Sequence, residues 1–251
     1  MLKKTASYLI IGTCLFLNSG CLQKPGNNPQ KYPLSDSTNA GGWVLNEVLS
    51  DEFEVSRLDT SKWFIQGTDG SYRSGWIGRA PSQFSTENVR IEEGKLKLQT
   101  RWETDFEFAE KLDYSYPEVE GEGRAYENIT TAAVICKNPV HYSYMEIRCK
   151  AGDASITSSF WALGNRQELD IFEFIGKPSK PDKEFIEKRF MSNMIDWTKP
   201  RETKRQWRGK YQLDWRVADD FHTYGCEWDE NYLRFYADGE LINSITKEEL
   251  G

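Results

Sequence analysis

Glu168, Asp170 and Glu173 stand within one six-residue run, Glu168-Leu169-Asp170-Ile171-Phe172-Glu173, and every residue between them is apolar. A desolvated charge is costly, and acids are seldom buried without partners. Carboxylates interleaved with aliphatic and aromatic side chains therefore do not read as a mobile surface patch. Two carboxyls held about 5–5.5 Å apart can carry out retaining glycoside hydrolysis, one as nucleophile and the other as general acid and then base. A third acid between them shares hydrogen bonds and raises the proton affinity of a neighbour, because like charges at close range resist full ionisation. The competing readings are a calcium site or a surface acid patch, and Leu169, Ile171 and Phe172 argue against the patch.

The element that must hold these acids is a strand. Residues two apart share a face, so Glu168 and Asp170 point the same way. Glu173 lies five residues from Glu168, and a regular strand would send it to the opposite face. One extra residue between Asp170 and Glu173, a β-bulge, returns it to the same side. We expect that bulge, with all three acids lining one concave face.

The surrounding text is also β. Val89 and Ile91, then Glu93-Gly94, then Leu96 and Leu98 alternate as a hairpin, and Leu233–Tyr236, Asp238-Gly239 and Leu241–Ile245 form another. Met145, Ile147 and Cys149 alternate with Glu146, Arg148 and Lys150. Repeated short strands with turn signals predict an all-β antiparallel sandwich of the jelly-roll kind with an open cleft. Lys183–Met191 reads as one short helix and Thr246–Leu250 as a fragment of another.

At 251 residues the chain suits one domain, and 14% aromatic content with nine Trp supplies flat faces for sugar rings as well as core. A net charge of −7 disfavours nucleic acid as a partner. The cationic run Arg201–Lys210 reads as a solvated loop or as a contact for sulfate groups on an anionic polysaccharide. No GxSxG, HExxH, phosphate loop or dinucleotide fingerprint is present, and structural roles are expected for both His141 and His222. No cofactor is expected to be required, though the sequence leaves room for a structural calcium ion.

Lys3 and Lys4 precede an apolar run, Tyr8–Leu17, that is short for a membrane span, and then come Asn18-Ser19-Gly20-Cys21. Residues 1–20 read as a lipoprotein-type signal peptide, with Cys21 as the lipidated residue. Residues 21–42, rich in Pro, Gly, Asn and Ser, read as a flexible tether, and 43–251 as the catalytic domain. The expected location is the bacterial cell envelope, lipid-anchored at the outer membrane or cell surface, and otherwise secreted. The only membrane contact expected is the lipid, and the protein is expected to be a monomer. Cys136, Cys149 and Cys226 remain, and they read as buried thiols, with a Cys136–Cys149 bridge as the alternative.

Glu168-Leu-Asp170-Ile-Phe-Glu173 resembles the ExDxxE signature of glycoside hydrolase family 16. Ser158-Ser159-Phe160-Trp161 resembles the strand that precedes that signature, and Trp76-Ile-Gly78-Arg79 with Glu87-Asn88-Val89 is similar to the opening of the agarase and porphyranase branch. The resemblance implies a jelly roll that cuts a β-linked polysaccharide internally with retention. It implies Glu168 as nucleophile, Glu173 as acid/base, Asp170 as their assistant and Trp161 stacked at the scissile sugar. Trp76, Arg79 and Asn88 would be further substrate-binding residues. The branch suggests a red-algal galactan, agarose or porphyran. The alternatives are a laminarinase or β-glucanase, and a non-catalytic glycan-binding surface lipoprotein on the same fold. Two departures stand out. Galactanases of this branch often carry a His in the strand after the signature, where this chain has Met191-Ser-Asn193-Met-Ile195-Asp196-Trp197. The chain also ends soon after the Asp238-Gly239 hairpin, so one or more C-terminal strands are expected to be missing.

Overall fold

A computed structural model describes residues 5–10, 31–67, 76–115, 121–200 and 202–250, with only the backbone pairing given for 5–10. The chain forms two compact units, one of residues 1–52 with 140–251 and the other of 53–139.

The first unit opens with β1 (Thr5–Ile10) and β2 (Val44–Leu45). Among its described residues the second unit has ten short strands. These are β3 (Trp63–Ile65), β4 (Gly78–Arg79), β5 (Ser82–Phe84), β6 (Val89–Glu92), β7 (Lys95–Leu98), β8 (Arg101–Trp102), β9 (Leu112–Asp113), β10 (Arg124–Ala125), β11 (Ile129–Thr131) and β12 (Val134–Cys136). The first unit then resumes with β13 (Ser143–Cys149), β14 (Thr157–Leu163), β15 (Gln167–Ile175), β16 (Arg189–Asp196), β17 (Arg205–Gln212), β18 (His222–Trp228), β19 (Tyr232–Ala237) and β20 (Glu240–Thr246).

Among its described residues the first unit has two sheets, in the orders β2-β1-β13-β18-β19-β20 and β14-β15-β16-β17. Their apolar faces meet in a single core. Met145, Ile147 and Cys149 of β13, Tyr224 and Cys226 of β18, and Leu233 and Phe235 of β19 enter it from one side. Leu169, Ile171, Phe172 and Phe174 of β15 and Phe190 of β16 enter it from the other. The alternation on β13 thus selects the core face as read from the sequence. Phe172 and Phe174 stack at 4.0 Å, and Trp207 of β17 stacks on Phe235 at 5.3 Å. Aromatic pairs of this kind add about 0.5–1.5 kcal/mol each beyond their area burial.

Both expected hairpins form, β6–β7 and β19–β20. Their central residues Glu93-Gly94 and Asp238-Gly239 all have positive φ, between 46° and 84°, which is what a two-residue turn between twisted strands demands. In the second unit β5 runs between β4 and β11, Phe53 packs on Trp63, and Gln66 is fully buried with its amide donating to the Trp76 carbonyl at 2.7 Å.

Several expectations need correction. The helix read over Lys183–Met191 is a 3-10 helix over Pro181–Lys188, and Arg189–Met191 already belong to β16, where Phe190 is buried in the core. The C-terminal fragment is an α-helix over Lys247–Leu250. The basic run is not a solvated loop, because residues 205–210 form most of β17, whose Trp207 points to the core. The described part of the tether, residues 31–42, is tied down rather than loose. Leu34 N–H donates to Glu146, the Ser35 hydroxyl bonds Tyr144, and Asp36 accepts from the amides of Ala40 and Gly41. Cys136, Cys149 and Cys226 are free thiols, so the Cys136–Cys149 bridge is absent. Cys21 and residues 11–30 around it lie outside the described residues, and within the expected signal segment Thr5–Ile10 pair in parallel with β13. No helix among the described residues is long and apolar enough to cross a membrane.

Candidate active site

Two neighbours in sequence, Ile171 and Phe172, both lie in the core, at 0% and 2% exposure. A regular strand cannot bury two consecutive side chains on one face, so the backbone must gain a residue there. The ladder shows where: Phe160 of β14 faces Phe172, the next residue Trp161 faces Asp170, and Ile171 has no counterpart. This is the expected bulge. Burying both side chains stabilises it by about 1.5–3 kcal/mol each. The buried Ser192 hydroxyl donates to the Ile171 carbonyl at 3.0 Å, so the irregular ladder leaves that acceptor satisfied.

The bulge returns Glu173 to the face that carries Glu168 and Asp170. The side-chain contacts demonstrate it. The Asn193 amide nitrogen donates one hydrogen to Asp170 Oδ2 at 2.9 Å and the other to Glu173 Oε2 at 2.8 Å. Asp170 in turn shares a hydrogen bond with Glu168. The Trp197 indole N–H donates to Glu168 Oε2 at 3.0 Å. The result is a row of three acids on one sheet face, with their apolar neighbours turned into the core behind them.

Burial, and after it the negative charges of Glu173 and Glu168, pushes the Asp170 carboxyl well above the ordinary carboxylate range, against the Asn193 donor, which pulls it down. Asp170 thus holds a proton more readily than an ordinary carboxyl does. Its location between two Glu side chains lets that proton be shared with Glu168.

Asn193 occupies the β16 position directly opposite Asp170, and Arg208 of β17 is opposite Asn193. Arg208 Nε donates to Asn193 Oδ1 at 3.0 Å. Trp197 follows β16, with the Lys204 ammonium 4.0 Å above its ring centroid. None of these three was expected beside the acid row. The only signals for them were the departure at the Met191–Trp197 strand and the cationic run that contains Arg208. Beyond Glu173, a cavity of about 120 Å³ is lined by Thr157, Glu173, Ile175, Ile186, Arg189 and Met191. Such a hollow is too large for one water and mostly apolar in its lining.

Trp161 is half-buried on β14, opposite Asp170, while its neighbours Phe160 and Ala162 pack against the core. The remaining expected residues belong to the second unit. Arg79 is exposed on β4, and Trp76 is half-buried with its ring edge on Phe84 at 4.9 Å. Asn88 is fully buried, and its amide donates to the Thr130 hydroxyl at 2.8 Å. A side chain so enclosed holds its own unit together and offers nothing to a sugar, which corrects its assignment as a substrate contact. Among the described residues no group of three or more His, Cys, Asp or Glu side chains is arranged to hold a metal ion.

Comparison with known proteins gives consistent findings. Residues 43–250 match the family model for the β-porphyranase A–D GH16 domain. The chain is 31% identical to β-porphyranase B of Phocaeicola plebeius over 284 residues, covering 97% of this chain and 82% of that protein. It is 28% identical to β-porphyranase B of Zobellia galactanivorans over 256 residues, covering 95% and 78%. The crystal structure of porphyranase B from Zobellia galactanivorans superposes with a TM-score of 0.60 at 28% identity, over 80% of this chain and 74% of that one.

Proposed function

The chain belongs to the β-porphyranase A–D branch of glycoside hydrolase family 16, and on that footing we propose that it is a retaining, endo-acting hydrolase of a β-linked red-algal galactan. Porphyran is the first substrate to test and agarose the second, because the relatives named above are porphyranases. One observation carries the reading: the bulge in β15 collects Glu168, Asp170 and Glu173 on a single face.

The chemistry follows from that row. Glu168 attacks the anomeric carbon while Glu173 gives its proton to the departing glycosidic oxygen. The glycosyl ester on Glu168 is then hydrolysed by water, whose proton returns to Glu173, and the anomeric configuration is retained. The Trp197 N–H on Glu168 fixes the attacking oxygen. Asp170 holds a proton beside Glu168, which eases the charge of three acids in one row. Trp161 offers a ring face to the sugar at the scissile bond, and Trp76 and Arg79 supply further substrate contacts. Carboxyls alone perform these steps, so no cofactor is needed.

Purified protein incubated with porphyran, agarose, carrageenan and laminarin should release new reducing ends from a red-algal galactan, with the β-anomer formed first by NMR. A Glu168→Gln variant as active as wild type, or inversion at the anomeric carbon, would sink the mechanism. Cleavage of laminarin alone would move the substrate to a β-glucan, and binding without cleavage would favour a glycan-binding role.

The protein acts as a monomer at the cell envelope, held through a lipid on Cys21. That reading rests on the Lys3-Lys4, Tyr8–Leu17 and Cys21 pattern. A Cys21→Ser variant should leave the membrane fraction of the cells, and its continued retention there would exclude the anchor.

A further inference from the structure

A donor-only group stands on one side of Asn193 and two acceptor-rich groups stand on the other. Arg208 has five N–H donors and no acceptor, and its Nε reaches Asn193 Oδ1 at 3.0 Å. The Asn193 nitrogen lies 2.9 Å from Asp170 Oδ2 and 2.8 Å from Glu173 Oε2, and these oxygens act as acceptors because the proton each acid carries in the mechanism sits on its other oxygen, toward Glu168 or the departing group. A side-chain amide can turn over and exchange its oxygen and nitrogen. Here only one of the two orientations satisfies both neighbours. Turning it over would set oxygen against carboxylate oxygens and nitrogen against a guanidinium.

We propose that Arg208 is a positioning residue for the acid/base carboxyl: by holding the Asn193 oxygen it keeps both amide hydrogens on Asp170 and Glu173, and so keeps Glu173 aimed at the departing oxygen. With Arg208 in place Asn193 is 1% exposed, so its amide is held by these protein partners. Arg208 lies on the solvent-facing side of β17, and its removal opens no core cavity. Its neighbours Trp207 and Gly209 are the ones that face inward. The register explains why this pair takes the role: Asp170, Asn193 and Arg208 are cross-strand neighbours on β15, β16 and β17, so the relay runs straight across the sheet. Positional errors of about 1 Å in a reacting group can cost on the order of 10²-fold in rate.

The proposal rests on the hydrolase reading above, and its test separates the two. The variants Arg208→Met, Asn193→Ala, their double mutant and Arg208→Lys are compared on the galactan and on a 2,4-dinitrophenyl β-glycoside of a galactan disaccharide. The dinitrophenolate leaves without a proton, so its departure needs no aimed acid. Arg208→Met should lose about 30–100-fold in kcat/KM on the polymer, mainly in kcat, and less than about 3-fold on the aryl glycoside. Arg208→Lys should recover part of the polymer activity. The double mutant should be no worse than Asn193→Ala alone, because Arg208 acts through Asn193. Additive losses, or equal losses on both substrates, would overturn the proposal while leaving the hydrolase intact. A wild type inert on both substrates would overturn the hydrolase reading and this proposal with it.

Discussion

The first unit buries acids on both of its sheets, and the two sets are provided for differently. On the six-stranded sheet, Glu146 of β13 is 1% exposed and Glu227 of β18 is 8% exposed. Each has its own donors. Leu34 N–H bonds Glu146 at 3.0 Å, and the hydroxyls of Tyr232 and Tyr236 bond Glu227 at 2.7 and 2.9 Å. The segment that carries Leu34 lies over β13, and nearby Trp43, Tyr142, Glu227, Trp228 and Asp229 enclose a hollow of only about 30 Å³, the volume of one water. On the four-stranded sheet, three acids crowd one another, and a single amide nitrogen serves two of them. Burial of a carboxyl is therefore not what marks a reactive site in this protein. The mark is an acid, Asp170, whose ionisation is disfavoured by burial and by two neighbouring carboxylates, on a face left open to a substrate.

The largest expected effects test that contrast directly. Glu168→Gln and Glu173→Gln should each lower turnover on the galactan by about 10³-fold or more, as loss of a nucleophile or general acid does. Glu146→Gln, at an acid more deeply buried than either Glu, should stay within about 3-fold of wild type, since it touches no reacting group. A comparable collapse in Glu146→Gln would erase the distinction between the two sheets.

Stability against pH should separate them next. Burial pushes Glu146 up to about 8 from an ordinary 4.5, against the pull of the Leu34 N–H. The folded chain then keeps a proton that the unfolded chain releases, so stability falls as pH rises from about the ordinary value toward the folded one. Glu146→Gln does not titrate. Its melting temperature should match wild type at low pH and exceed it increasingly toward pH 8, by the equivalent of a few kcal/mol. A constant offset across that range would show that Glu146 does not titrate there.

Smaller effects sharpen the picture. Ser192→Ala strands the Ile171 carbonyl at the bulge and should cost about 1–3 kcal/mol by denaturant titration, with kcat reduced because Glu173 loses its seat. If stability falls and kcat does not, the bulge stands without that bond. Tyr236→Phe leaves Glu227 with Tyr232, and should cost roughly 1 kcal/mol with no change in turnover.

Much of the fold was legible because its signals are local. The turns at Glu93-Gly94 and Asp238-Gly239 need only residues that accept positive φ, and the β13 alternation needs only a period of two. The basic run was misread for a related reason. Its charges suggested a loop, while the single Trp207 that anchors β17 on Phe235 declares itself only when that partner, far along the chain, is in place. Residues 31–42 have the composition of a linker, and Glu146 and Tyr144, far along the chain, give Leu34 and Ser35 partners on which to settle. Asn88 sat in a stretch similar to a substrate-binding one, yet its surroundings make it a buried strut.

The six residues from Glu168 to Glu173 determined on their own that two acids share a face and that a third could join them only through an extra residue between Asp170 and Glu173. Side-chain period and the cost of exposing apolar surface are properties of a short segment, and they act wherever the segment is placed. Tertiary structure alone decided what meets those acids. Asn193, Trp197 and Arg208 come from other strands and turns, and an Asn, a Trp or an Arg at an outward position reads alike whether it faces water or a carboxylate. Cross-strand register, set by pairing between distant segments, chose the carboxylates.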